Sequence, residues 1–111
     1  MKRKQNEKHL SFIRSLPCCT CPKTAPCEAA HIRMGTNGGM GLKPTSEWVV
    51  PMCHKCHNLE QHRVGENAFW PDIALAKQLA NNLHTVTGDD FFGKLAVMNY
   101  RRKHMEDKAY A

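Results

Sequence analysis

The sequence predicts a small α+β domain, and three observations point there. Apolar residues recur at helical spacing near the start and over the last third of the chain. Between them lie two short runs of β-type composition, split by a glycine-rich loop. Two Cys-x-x-Cys pairs bracket those runs. At 111 residues this is one domain. The length excludes a doubly wound nucleotide-binding sheet with a second domain. It permits a modest core, and cores of this size commonly need a metal or a disulfide as a staple.

Each element has a local reason. Residues 1–8 read as a basic, flexible tail. Leu10, Ile13 and Leu16 repeat at helical spacing and Pro17 closes the pattern, so a helix is expected from about Asn6 to Leu16. Residues 17–28, dense in Pro and Cys, read as a compact irregular loop. Glu28 to Arg33, with Ala29, Ala30 and Ile32, reads as a strand. Four glycines between Gly35 and Gly41 mark a loop with backbone freedom. Glu47 to Met52 is a second β-type run, which Pro51 is expected to end. A helix should begin close to His57. Pro71 suits a first helical position, and Ile73, Leu75, Ala76, Leu79, Ala80 and Leu83 carry an apolar stripe to about residue 86. Gly88 ends that helix and Asp89 or Asp90 caps the next. Phe91, Phe92, Leu95, Ala96 and Met98 are expected to be its buried face. Arg101-Arg102-Lys103-His104 reads as a basic last turn. Residues 9–66 are thus the core of the single domain and 67–111 a helical extension.

The composition narrows the chemistry. The basic start has no apolar stretch behind it, so it is not a secretory signal, and no run approaches a membrane span. A cytoplasmic location is expected. There, paired cysteines point to metal more than to disulfides. The chain holds six cysteines and seven histidines and carries a formal charge of +6. The charge leans toward a polyanion such as nucleic acid, though charge speaks to association and not to fold.

Cys18-Cys19-Thr20-Cys21 and Cys53-His54-Lys55-Cys56 share the two-residue spacer of a zinc knuckle. Each turn aims two thiolates at one ion, and two turns complete a tetrahedron of sulfurs at about 2.3 Å. Cys18, Cys21, Cys53 and Cys56 are therefore the expected ligands of a structural zinc. Cys19 or Cys27 could replace a ligand. A four-cysteine zinc has no open position, so chemistry must be sought elsewhere. His31 sits on the first strand, and His57 and His62 follow the second pair. Folding around the zinc is expected to bring His31 opposite the other two. Two histidines can hold a divalent cation while the third takes a proton from water.

Ala30-His31-Ile32, a hairpin, then Cys53-x-x-Cys56-His57 and a helix resembles the HNH, or ββα-metal, endonuclease superfamily. The chain is most similar there to small phage and prophage nucleases of the YbcO and recombination-enhancement (Ref) type. The shared motifs are Ala30 to Arg33, the loop Gly38 to Pro44, and Cys53 to His57, and the likeness spans roughly residues 9–70. It implies a zinc-stapled ββα-metal core with an N-terminal helix and two C-terminal helices. It also implies phosphodiester hydrolysis in a bacterial host cell, with His31 as general base. His57 and His62 would hold a catalytic Mg2+ or Mn2+. Two positions depart from the pattern. Ala30 stands where many members carry an acidic or histidine ligand, and Trp48 where they carry an asparagine. Glu28, His54, Glu60 or Gln61 could complete the cation's shell. Five positions separate His57 from His62, about 140° around a regular helix, so His57 pairs better with Glu60 or Gln61 unless it precedes the first full turn.

Arg33, Lys43, Lys55 and Arg63 cluster around these histidines and are the expected phosphate contacts. No base-reading module is present, so little sequence preference is expected. DNA is the expected partner, with a recombination protein as a second. Phe69, Trp70, Phe91 and Phe92 are candidates for a homodimer surface. The competing reading is a zinc-stapled DNA-binding protein without catalysis. A nucleobase deaminase is set aside because no His-x-Glu precedes Pro17-Cys18-x-x-Cys21.

Overall fold

A computed structural model describes residues 6–33, 45–60, 65, 69–70 and 72–106. The glycine-rich loop, Lys43, Gln61, His62, Arg63 and Pro71 lie outside the described residues. The architecture is α+β, with three α-helices and one two-stranded antiparallel sheet among the described residues.

Helix α1 runs Glu7–Arg14. The Asn6 side chain accepts from His9 N–H at 3.2 Å, and Glu7 and Arg14 complement the helix dipole at its two ends. The helix stops short of Leu16 because Ser15 Oγ donates to the Phe12 carbonyl and loosens the last turn. Leu16 is nonetheless fully buried.

Strand β1 (Glu28–His31) pairs with β2 (Val49–Met52), with Glu28 opposite Met52 and His31 opposite Val49. A 3-10 turn at Ser46–Trp48 leads into β2. Pro51 does not end the second run but lies inside it. Proline lacks an N–H, yet a strand with one sheet neighbour tolerates it. Its carbonyl accepts from Cys19 N–H at 2.9 Å, which stitches the cysteine loop to β2. The chain then enters a π-helical turn, Lys55–Glu60.

Helix α2 covers Ile73–Thr85, and Asp72 caps it by accepting from Ala74 N–H at 2.9 Å. Its described start is therefore set by Asp72. Gly88 takes φ +88°, where a side chain would be strained, and turns the chain into α3, Asp90–Tyr100. Asp89 caps α3 at Phe92 N–H.

The core joins Leu10, Ile13 and Leu16 of the first segment to Val49, Val50 and Met52 of β2 and to Leu79, Ala80 and Leu83 of α2. Helix α1 packs on both strands, α2 on β2, and α3 on α2. Each large apolar side chain buried here contributes about 1.5–3 kcal/mol.

Helix α3 presents a different face from the one its apolar residues suggest. Phe91 is 70% exposed and Phe92 52%, and Leu95 and Met98 also face solvent. Gly93, Val97 and Tyr100 point inward instead. The cause is a close approach. A Cβ at position 93 would lie 2.6 Å from the Phe12 ring and 3.1 Å from Leu16, so α3 docks by its glycine. Trp70 is buried, edge-on to Phe69, and is no part of a shared outer surface. Among the described residues, no helix is long and apolar enough to cross a membrane.

Candidate metal centre and histidine cluster

Cys18 and Cys21 lie in the loop after α1, and Cys53 and Cys56 flank the turn after β2. Their four sulfurs lie within 4.8 Å of one another. The Cys21 and Cys53 sulfurs are 3.6 Å apart. A tetrahedron with 2.3 Å bonds has edges of about 3.8 Å, so the spacing suits zinc. It is too long for a disulfide, and all six cysteines are free thiols. Three of the four are buried and Cys21 is half-buried. The Cys56 thiol donates to Cys18, which pulls Cys18 down to about 4 and pushes Cys56 up. Thr20 adds its hydroxyl and backbone N–H beside the Cys18 sulfur. A bound cation would replace the shared protons. Burial pushes Cys19 well up and Cys27 up to about 12, so both favour the neutral thiol. Neither belongs to the converging set.

Arg101 closes this centre from behind. Its Nη1 donates to the carbonyls of Cys21 at 2.9 Å and Cys18 at 3.3 Å, and the residue is buried. It therefore belongs to the protein's interior and not to a solvated basic tail. Its sequence signal was weak. It lies four positions after Val97, directly past the end of α3.

A second cluster forms where β1 begins. Glu28 Oε1 accepts from His57 Nδ1 at 2.8 Å, and Oε2 accepts from His54 Nδ1 at 2.9 Å. Asn58 Nδ2 donates to Oε1 at 2.7 Å. These donors, His54 foremost and then His57, hold the Glu28 carboxyl down at about 2. The β1–β2 register places Glu28 beside Met52, directly before the second cysteine pair, and so within reach of the turn that carries His54 and His57. Asn58 was not singled out by sequence. Its one signal is a position four residues after His54, whose carbonyl its amide faces at 3.4 Å.

Residues 1–85 match the family model described as Protein of unknown function (DUF968). The chain belongs to the DUF968 family. No curated protein and no solved structure matches it. The DUF968 match takes in α1, both strands, the four cysteines, the Glu28 cluster and α2, and it ends where α2 ends. Helix α3 and Arg101 lie beyond it.

Within the DUF968 region the other sequence-predicted residues are more dispersed. His31 is half-buried at the far end of β1 from Glu28. Strand alternation puts Glu28 and Ala30 on one face, and Ala29 and His31 on the other. Arg33 follows the strand and is exposed, and Lys55 is exposed between Cys53 and Cys56. Of the residues considered for a cation shell, Glu28, His54 and His57 are brought together. His62, Gln61, Lys43 and Arg63 lie outside the described residues.

Proposed function

We propose that this chain is a metal-dependent DNA endonuclease of the HNH, ββα-metal kind, phage- or prophage-encoded and acting in DNA recombination or processing. The observation that carries the reading is the order of parts. His31 stands on the first strand of an antiparallel pair, the second pair of clustered cysteines follows the second strand, and a helical turn with His57 follows at once.

In this reading His31 removes a proton from water. The water oxygen forms a bond to the scissile phosphorus, the bond from phosphorus to the 3′ oxygen breaks, and that oxygen takes a proton from solvent. A divalent ion, when bound, stabilises the charge that develops on the phosphate and the leaving oxygen. His57 is its ligand on the described part of the chain, with His62 as the second. Arg33, Lys43, Lys55 and Arg63 hold the duplex phosphates, an attraction that weakens with salt. The four cysteines take zinc and fix the turn on which His57 sits.

The test is plasmid nicking with added Mg2+ or Mn2+. His31→Ala is expected to lower the rate at least 100-fold while leaving zinc content, melting temperature and DNA affinity unchanged. A wild-type protein that fails to nick DNA with any divalent ion defeats the proposal. The second reading, a zinc-stapled DNA-binding protein without catalysis, is favoured by Ala30 and Trp48, neither of which can ligate a cation or orient a base as the resembled pattern requires. It expects DNA retention without cleavage.

A further inference from the structure

We infer that Glu28 is a positioning residue: it fixes the tautomer and orientation of His57, so that the imidazole offers Nε2 as its lone-pair nitrogen. The inference rests on the nuclease reading for its purpose, but the geometry stands without it.

The first argument is a count of protons. A neutral imidazole has one N–H and one lone pair. The ionised carboxylate only accepts, so the nitrogen facing each oxygen must carry the proton. Oε1 faces His57 Nδ1 at 2.8 Å and Oε2 faces His54 Nδ1 at 2.9 Å. His57 is thereby set as the Nδ1–H form, with the lone pair at Nε2; at His54 the Asn58 amide, a donor, also lies 3.0 Å from Nδ1 and competes with the carboxylate for that nitrogen. In water the neutral ring prefers the opposite tautomer, so Glu28 imposes the arrangement.

The second argument is that the clamp is itself held. Asn58 donates to Oε1 at 2.7 Å, which gives the carboxylate a third donor. The strand register fixes Glu28 from one side, and the turn between Cys53 and Cys56 fixes His54 from the other. The third argument is where the carboxylate points. Both Glu28 oxygens are directed at imidazoles. Glu28 therefore acts through the histidines, as a carboxylate behind a ligating imidazole does when it orients the ring and raises its basicity.

The test joins imidazole 15N spectroscopy of the zinc-loaded full chain to Mn2+-dependent nicking. The wild type should show His57 as Nδ1–H. Glu28→Leu, which removes both acceptor oxygens, should shift His57 toward Nε2–H while zinc content stays at the wild-type level. In the nicking assay Glu28→Leu should raise the half-saturating Mn2+ concentration about 10–100-fold. Glu28→Asp, which keeps the acceptor oxygens on a shorter arm, should recover part of that loss. A wild-type His57 in the Nε2–H form overturns the inference. So does a Glu28→Leu protein with an unchanged His57 tautomer. A Glu28→Leu protein that shifts the tautomer but keeps the wild-type Mn2+ dependence overturns the cation-positioning role. If the wild type fails to nick DNA with any divalent ion, the nuclease reading falls and the tautomer alone decides the role of Glu28.

Discussion

His9 is fully buried, and its protonation is legible from its neighbours. Thr87 Oγ1 donates to the His84 carbonyl at 2.8 Å, so that oxygen accepts from His9 Nδ1–H at 2.7 Å. Nε2 keeps a lone pair among packed atoms, with the His84 ring edge-on and the ring centroids 5.1 Å apart. Burial, and then the neighbouring His84, push His9 down to about 4. An unfolded histidine takes its proton near 6.5. Between those values the unfolded chain binds more protons than the folded one. The contribution is therefore complete above about pH 6.5 and is lost as pH falls toward 4. Melting temperature should drop from pH 7 to pH 5, and His9→Gln should flatten that slope relative to wild type. Equal slopes would remove His9 as the cause. Glu28 and His54 were readable as site candidates because carboxylates and imidazoles announce their chemistry. His9 was not, because a histidine beside Leu10 does not reveal which nitrogen finds a partner.

At the scale of elements, the sequence read the existence and type of each helix and strand well and the facing of one helix badly. Periodicity located α2 because Leu79, Ala80 and Leu83 recur on one side. It misplaced the face of α3 because bulk was taken for burial. Gly93 carries no side chain to register in an apolar stripe, yet its missing Cβ is what lets α3 meet Phe12. Gly93→Ala tests this directly. Alanine is the better helix former by about 1 kcal/mol. The 2.6 Å approach to Phe12 should outweigh that gain and cost about 1–3 kcal/mol net, read by chemical denaturation. A stabilised Gly93→Ala protein would show that α3 does not dock this closely. Phe91→Ser, by contrast, should leave stability within about 0.5 kcal/mol, since its ring is 70% exposed. If Phe91→Ser instead lowers the oligomeric mass in light scattering, the Phe91–Phe92 edge joins two copies.

Across the whole molecule, the cysteine cluster ties chain segments 32 positions apart, and the two spacers made it readable. Its backing was not readable, because Arg101 lies 83 positions from Cys18 in a run of basic residues that looks solvated. Removing metal with a chelator should abolish the cooperative melt, since a core of this size has little stability without the staple. Arg101→Met should keep much of the side chain's bulk but strip donors from two cysteine carbonyls. A loss of about 1.5–3 kcal/mol is expected, together with faster zinc release to a chelator. An unchanged release rate would show that the guanidinium does not hold the cysteine loop. The position of Arg101 also sets an order of events on the ribosome. At about 5–20 residues per second, it is added roughly 4–17 s after Cys18. The four thiols are all synthesised before it, and so is everything the DUF968 match covers. A metal taken up by the cysteines as the chain is made would therefore meet a loop that Arg101 has not yet latched.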